Sequence, residues 1–219
     1  MRLNEEEDGN MKLLKNFALC LILFVLIAVA CQCVPKPGTI NKNMEIYNKA
    51  ELFKFIDDTT KKIAANPRDA VLYVDRGNAY DDYGKGEEAL KDYNKAIEID
   101  PKYAAAYRER GLFYYYRKDY SKALSDYNTS ISLDPKDYGS YLNRANLYDD
   151  MGRLKDAIKD YNMAIELNPS FAPAYANRAI ASYRHKDFDE ARKDYLKAKE
   201  LGYKFSPQNE KVLEELLKE

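Results

Sequence analysis

Tryptophan is absent from this chain of 219 residues, histidine occurs once and cysteine three times. A lone histidine, His185, argues against a Ser/His/Asp or Cys/His catalytic centre and against a multi-histidine metal site. A formal net charge of -1 provides no basic surface for a nucleic-acid backbone. The 46% of hydrophobic residues nevertheless suffices for a folded core. We therefore expect a protein that is not an enzyme, with no metal, no cofactor and no nucleic-acid partner.

The residues up to position 30 have the layout of a secretory signal peptide. Lys12 and Lys15 precede an uncharged apolar run from Phe17 to Ala30. This run is shorter than the about 20 residues of a membrane-spanning helix, although extending it to residue 34 makes a borderline span. Residues 1–10 carry an acidic cluster that signal peptides lack, so they are expected to follow from a mis-assigned start codon.

The segment Ala28-Val29-Ala30-Cys31 resembles the lipobox of bacterial lipoproteins, although alanine replaces the usual leucine at its first place. The resemblance implies a covalent lipid on Cys31, and Gln32 after it favours the periplasmic face of the outer membrane in the bacterial cell envelope. The alternatives are an uncleaved membrane anchor and an ordinary signal peptide. Residues 31–43, rich in proline and without apolar periodicity, are predicted to form a tether.

The rest of the chain repeats with a period of 34 residues. Prolines at 67, 101, 135 and 169 mark the period. Other residues in register are Tyr73, Tyr107, Tyr141 and Tyr175; Arg76, Arg110, Arg144 and Arg178; Ala89, Ala123, Ala157 and Ala191; and Tyr93, Tyr127, Tyr161 and Tyr195. Chance does not align so many columns, so the sequence predicts a repeat architecture.

Each unit is predicted to contain two helices, A and B, because apolar residues recur at steps of three and four on both sides of a break. In the first unit Gly84-Lys85-Gly86 is the break, and Asp100-Pro101 ends the second helix. A helix-turn-helix of this length with these columns resembles the tetratricopeptide repeat (TPR).

The TPR resemblance implies an all-α fold, a right-handed α-solenoid of four units. The units are residues 70–103, 104–137, 138–171 and 172–205. Residues 44–69 are expected to form an N-terminal degenerate helix or half repeat, and residues 206–219 a C-terminal capping helix.

An arginine and an aspartate recur 16 residues apart in every unit. This recurrence favours a structural ion pair between helix A and helix B over a substrate site. The four predicted pairs are Arg76/Asp92, Arg110/Asp126, Arg144/Asp160 and Arg178/Asp194.

The resemblance implies that a partner binds in the concave groove, which is lined by places of helix A that vary between units. The candidate groove residues are Asp75, Asn78, Asp81, Asp82, Arg108, Glu109, Leu112, Tyr115, Tyr116, Asn143, Asn146, Asp149, Asp150, Asn177, Tyr183 and Arg184. The set has asparagines but lacks the lysines with which chaperone-binding TPR proteins hold a terminal carboxylate. Its acids and tyrosines favour a neutral to basic peptide or protein, unless the charges serve only to hydrate the face.

The predicted function is that of a membrane-anchored scaffold or adaptor for protein partners in envelope assembly, secretion or proteolysis. A self-associating structural protein that forms homo-oligomers is one alternative. A non-catalytic subunit of an envelope enzyme is another.

Overall fold

The computed structural model describes residues 42–217, with side chains from residue 49 onward. The signal peptide, Cys31 and nearly all of the tether lie outside the described residues. The described part contains ten helices and no strand, which confirms the all-α class. The helices are α1 (Lys42–Ala65), α2 (Ala70–Asp82), α3 (Gly86–Ile99), α4 (Ala104–Tyr116), α5 (Tyr120–Leu133), α6 (Tyr138–Asp150), α7 (Leu154–Leu167), α8 (Ala172–Arg184), α9 (Phe188–Glu200) and α10 (Pro207–Glu215).

Each of the four units is a pair of helices joined by a short turn. Helix A of the units is α2, α4, α6 and α8, and helix B is α3, α5, α7 and α9. The turn between A and B contains one residue with positive φ in every unit: Gly84, Lys118, Gly152 and Lys186. Glycine adopts this conformation without a steric penalty, whereas the two lysines bear a Cβ that disfavours it by about 1 kcal/mol.

Alanine and tyrosine columns form the core between the paired helices. All four alanines of the Ala89 column are fully buried, and so is the ring of Tyr127. Small residues on helix A make room for these rings: a Cβ added to Gly111 would lie 2.8 Å from the Tyr127 ring. The third and fourth units hold Ala145 and Ala179 at the corresponding place, and both are fully buried.

Helix A of each unit packs against helix A of the next, in the pairs α2 with α4, α4 with α6 and α6 with α8. Helix B of one unit makes no comparable contact with helix B of the next anywhere in residues 42–217. Neighbouring elements lie closer together on the inner side of a curved stack, so the A helices line the concave face.

The two ends of the stack are closed differently. At the C-terminal end, α10 packs on α8 and α9 and buries Leu213 and Leu216. At the N-terminal end, α1 packs on α2, where Ile63 joins the cluster of Ala70, Tyr73 and Val74, and Ile56 of α1 is also buried. The tether was predicted to extend to residue 43, whereas Lys42 and Asn43 belong to α1. None of the helices within residues 42–217 is long and apolar enough to span a membrane.

Candidate binding groove

The structure contains all four arginine–aspartate pairs that the sequence predicts. In each, Nε and one Nη of the guanidinium donate to the two carboxylate oxygens. The two N–O distances are 2.7 and 2.7 Å for Arg76 with Asp92, 2.8 and 2.8 Å for Arg110 with Asp126, 2.6 and 2.9 Å for Arg144 with Asp160, and 2.6 and 2.7 Å for Arg178 with Asp194. Such a bidentate contact uses both carboxylate oxygens, so these pairs hold helix A to helix B.

The recurrence of these pairs did not predict how deeply their aspartates are buried. Asp92 is 6% exposed and Asp126 is 5% exposed, although aspartate normally lies at the surface. Asp160 and Asp194 are buried as well, and the arginines are mostly covered. Because both oxygens of Asp92 and Asp126 are engaged and shielded from solvent, neither carboxylate is open to a ligand. These residues belong to the core of the repeat and not to a binding surface.

Each of these arginines also links its unit to the element before it. The remaining Nη of Arg110 donates to Asn94 at 2.7 Å, and that of Arg144 donates to Asn128 at 2.7 Å, both on the preceding helix B. Arg178 does the same with Asn162. One guanidinium therefore joins three helices, which couples consecutive units.

Two of the groove asparagines are engaged by buried tyrosines. The Tyr93 hydroxyl donates to Oδ1 of Asn78 at 2.8 Å, and the Tyr161 hydroxyl donates to Oδ1 of Asn146 at 2.8 Å. Oδ1 of Asn146 accepts a further bond from Nδ2 of Asn177 in the next unit. The side-chain oxygens of these asparagines are thus occupied, and a ligand would meet their amide N–H groups.

The second unit breaks this pattern, because Leu112 stands at the place of Asn78 and Asn146. The Tyr127 hydroxyl is buried and has no hydrogen-bond partner in the described residues. In the fourth unit, where Ile180 takes the place, the Tyr195 hydroxyl instead contacts Glu214 of the capping helix at 3.3 Å. Tyr127 is therefore the column tyrosine whose hydroxyl is desolvated without compensation.

Removing the hydroxyl is expected to have opposite effects in the second and third units. Tyr127→Phe should raise the free energy of unfolding by about 1 kcal/mol, because it removes an unsatisfied buried donor. Tyr161→Phe should lower it by about 1 kcal/mol, because the Asn146 oxygen loses a partner. Urea denaturation of the two variants checks the difference, and equal shifts would contradict it.

The predicted groove arginine Arg108 is held by two acids. Its guanidinium donates to Glu109 at 2.9 Å and to Asp137 at 2.8 Å, and Asp137 also caps helix α6 through the Gly139 N–H. Burial disfavours the charged form of Arg108, but the charges of Glu109 and Asp137 outweigh it and raise the pKa of the arginine. Arg108 therefore joins α4 of the second unit to the N-terminal end of α6, helix A of the third unit.

Three further contacts of groove residues cross the boundary between units. Asp81 accepts from Arg117 at 2.7 Å, Asp150 accepts from the Tyr115 hydroxyl at 2.7 Å, and Asp149 pairs with Arg184. Burial and the bond to Asp150 raise the pKa of Tyr115. Burial also raises the pKa of Asp149, and the charge of Arg184 partly offsets that effect.

Arg117 was not among the candidate groove residues. It follows the last residue of α4, one place beyond the helix A positions used for the prediction, and Cζ of its guanidinium lies 3.4 Å from the centre of the Phe113 ring. Its pairing with Asp81 of the neighbouring unit could have been predicted only if the packing of helix A on helix A were already known.

Asp75, Asp82, Tyr116 and Asn143 form the open part of the groove. Asp75, Asp82 and Asn143 make no side-chain hydrogen bond or ion pair among the described residues, and the Tyr116 side chain is 57% exposed. Although Asp82 is open to solvent, partial desolvation of its carboxylate and the charges of Asp81 and Glu109 raise its pKa. Partial desolvation and the charge of Asp69 likewise raise the pKa of Asp75.

The remaining candidate, Tyr183, packs its ring against Phe188, with the ring centres 5.7 Å apart. No group of histidine, cysteine, aspartate and glutamate side chains in the described range could hold a metal ion. The groove thus offers open carboxylates, an exposed aromatic ring and amide donors, which are the elements of a surface that binds another chain.

Comparison with known protein families identifies the repeat. The model for the tetratricopeptide repeat matches residues 70–103, 104–137 and 139–171. Residues 70–171 are tetratricopeptide repeats. The fourth pair, α8 and α9, has the same arginine–aspartate contact as these three. TPR units generally serve as scaffolds for interactions between proteins, and the repeats of this chain form such a scaffold.

Solved TPR structures share the fold of this chain. MamA is 24% identical, with a TM-score of 0.60, over 75% of this chain and 96% of MamA. The structure of pilF from Pseudomonas aeruginosa is 17% identical, with a TM-score of 0.65, over 77% of this chain and 83% of pilF. The first TPR of Spaghetti (RPAP3), bound to the HSP90 peptide SRMEEVD, is 27% identical with a TM-score of 0.51, over 53% of this chain and 93% of that one. A comparison with curated protein sequences gives no match.

Proposed function

We propose that this TPR protein is a membrane-anchored adaptor whose concave groove binds a neutral to basic, extended segment of a protein partner in the bacterial envelope. The proposal rests chiefly on the open carboxylate of Asp82 beside the exposed ring of Tyr116. Most other groove charges are engaged in ion pairs or hydrogen bonds, whereas Asp82 and Tyr116 are open to a ligand.

The chemistry of this position suits a lysine or arginine side chain. The pKa of Asp82 is raised by partial desolvation and by the other carboxylates around it, and a bound cation would relieve that repulsion. Partial burial raises the pKa of Tyr116, and the negative charges of Asp81 and Asp82 raise it further. Both acids therefore act on this tyrosine. A cation over a tyrosine face contributes about 0.5–2 kcal/mol.

The peptide SRMEEVD, bound by the Spaghetti (RPAP3) repeats, provides a contrasting probe. Its consecutive glutamates would face Asp82, Asp81 and Glu109 here, and the groove lacks lysines to receive its terminal carboxylate. We therefore expect this chain to discriminate against acidic peptides through charge repulsion.

The test is fluorescence anisotropy with a labelled alanine/lysine peptide and with SRMEEVD. The basic peptide should bind and SRMEEVD should not. Asp82→Lys should weaken binding of the basic peptide about tenfold, because an attraction becomes a repulsion. Glu166→Lys makes the same charge change on exposed helix B and should leave binding unchanged. Equal binding of both peptides would refute the groove chemistry.

The substitutions used in this test must leave the contacts between units intact. Asp81, Asp149 and Asp150 each hold a neighbouring unit, so reversing their charges would alter the stack as well as the groove. Asp82 and Asp75 lack such contacts, which makes them the informative positions.

The anchor is proposed from the sequence, where Cys31 ends a segment that resembles a lipobox. Acylation would fix the protein to the periplasmic face of the outer membrane, with the residues up to α1 as a tether. Cys31→Ala should abolish incorporation of a radiolabelled fatty acid and release the protein from the membrane fraction. Cys33→Ala is the matched control and should leave both unchanged. Persistent membrane association without label in Cys31→Ala would show an uncleaved anchor instead.

A further inference from the structure

Helix α1 has the position of a helix B whose own helix A is missing from the described residues. Arg76 donates to Thr60 at 3.1 Å, and Thr60 stands 34 residues before Asn94, which receives the corresponding bond from Arg110. The Tyr73 hydroxyl donates to the carbonyl of Pro67 at 3.2 Å, as the equivalent tyrosine of the second unit does one period later. The contacts of α1 with α2 thus repeat those of each helix B with the following helix A.

The turn that would fold a helix A back onto α1 is absent. In the four units the turn residue has positive φ, as at Gly84 and Gly152. One period before Gly84 stands Ala50, which lies inside the continuous helix α1. Ala50 has a helical backbone conformation instead, so the chain continues as a helix through this place. Residues 42–49 therefore extend α1 without a turn and do not fold back over the face of residues 50–65 that a helix A would cover.

The face that helix A covers in other units is open on α1. Phe55 and Lys62 stand at the places of Ala89 and Ala96, which are fully buried; Phe55 is 46% exposed, and Lys62 is also exposed. On α2 the adjoining Val71 is 47% exposed. An apolar stripe of this kind in a solenoid end is normally covered by a further helix.

We propose that a second copy of this chain covers this face, with the two α1 helices antiparallel about a two-fold axis near Phe55 and Asp58. Residues 51, 55, 58 and 62 lie on one face of α1, at helical steps of four, three and four. Reversing this face on itself places Glu51 opposite Lys62 of the second copy. It also places the two Phe55 rings close to the axis, where each lies opposite Asp58 of the other copy.

The charges of this face favour a second copy over an unrelated partner. Glu51 meets Lys62 only when the same face is presented in the reverse direction, which is the property of an isologous interface and gives two such contacts per dimer. Neither Glu51 nor Lys62 forms an ion pair within the described residues, so both can pair across the interface, although the charge of Lys62 also acts on Asp75 of α2. A single helix pair is small for an obligate dimer, so we expect monomer and dimer to exchange with concentration.

A charge swap on the full chain tests the proposal. The mass of the full chain in detergent micelles is measured by sedimentation equilibrium over a range of protein concentrations. The wild-type chain should dimerise. Glu51→Lys and Lys62→Glu should each raise the dissociation constant about tenfold, because two attractions per dimer become repulsions. The double variant restores opposite charges and should return to the wild-type value.

Asp57→Lys is the matched control, because it makes the same charge change on the side of α1 away from Phe55, at an exposed residue. It should leave the dissociation constant unchanged. A monomeric wild-type chain would overturn the proposal, as expected if residues before α1 cover the face. A dimer that ignores both single substitutions, or that the double variant fails to restore, would also overturn it. The groove proposal does not depend on this outcome.

Discussion

Replacing Asp160 by alanine is expected to lower the free energy of unfolding by about 3 kcal/mol. The carboxylate is 3% exposed and accepts two bonds from Arg144, so its loss leaves a mostly covered guanidinium without its counter-ion. Removing one partner of a buried pair costs about 3–5 kcal/mol, and the partial exposure of Arg144 places the effect at the lower limit. Urea denaturation followed by circular dichroism measures the change.

Asp156→Ala in the same helix is the control for this experiment. Asp156 pairs with Arg153, but the side chains are about half exposed, so water replaces the lost contact. An exposed pair contributes about 0–1 kcal/mol. Similar losses for Asp156→Ala and Asp160→Ala would show that the repeated pairs add no more stability than a surface ion pair.

Replacing Tyr161 by alanine should have a still larger effect, about 4 kcal/mol. The ring is 1% exposed and packs in a cluster with Ala145 and Ala157, so truncation opens a cavity at the centre of the third unit. The substitution also removes the donor to Asn146, whose Oδ1 accepts from Asn177 of the next unit. We therefore expect the free energy of unfolding to fall and the junction between the third and fourth units to loosen.

Tyr116→Ala is the control for Tyr161→Ala, because it removes the same side chain from an exposed position. Its side chain is 57% exposed, and its loss should change the free energy of unfolding by less than about 1 kcal/mol. Hydrogen exchange on both variants should show faster opening of α8 only in Tyr161→Ala. Equal shifts of the denaturation curves of Tyr116→Ala and Tyr161→Ala would contradict this prediction.

The fold follows from the sequence because its signals are periodic and local. The alternation of helix A and helix B, the aspartate that pairs with each arginine, and the small residues beneath each tyrosine all recur every 34 residues, so each unit repeats the prediction of the others. Unit boundaries could be placed within a few residues for the same reason. The exception is α1, where the columns are absent: it includes Lys42 and Asn43, which were expected to belong to the tether.

Periodicity predicts which residues pair but not how far they lie from solvent. The spacing of 16 residues indicates a partner for Asp92 and Asp126, whereas their burial depends on the neighbouring tyrosine and arginine side chains that cover them. A surface ion pair with the same spacing would have the same sequence pattern. The packing of helix A on helix B therefore had to be seen before the cost of losing a pair could be judged.

The groove was less predictable because its contacts join residues about one repeat apart whose identities differ between units. Asp81 and Asp149 occupy the same place, yet one pairs with Arg117 and the other with Arg184. Whether a carboxylate is open or engaged depends on the residue that a neighbouring unit presents. Asp82 and Asp150 likewise share a place, and only Asp150 meets a tyrosine hydroxyl.

The way α1 joins the stack determines how the protein would respond to a pulling force. A pull on the chain preceding Lys42 passes along α1, which is held to the repeats by the packing of Ile63 and, among the described side chains, by the hydrogen bond from Arg76 to Thr60. Within the repeats, each junction has a shorter arginine–asparagine bond, and further groove contacts act in parallel with it. Under tension α1 would therefore detach first, lengthening the connection to the repeats while they stay folded around whatever they hold.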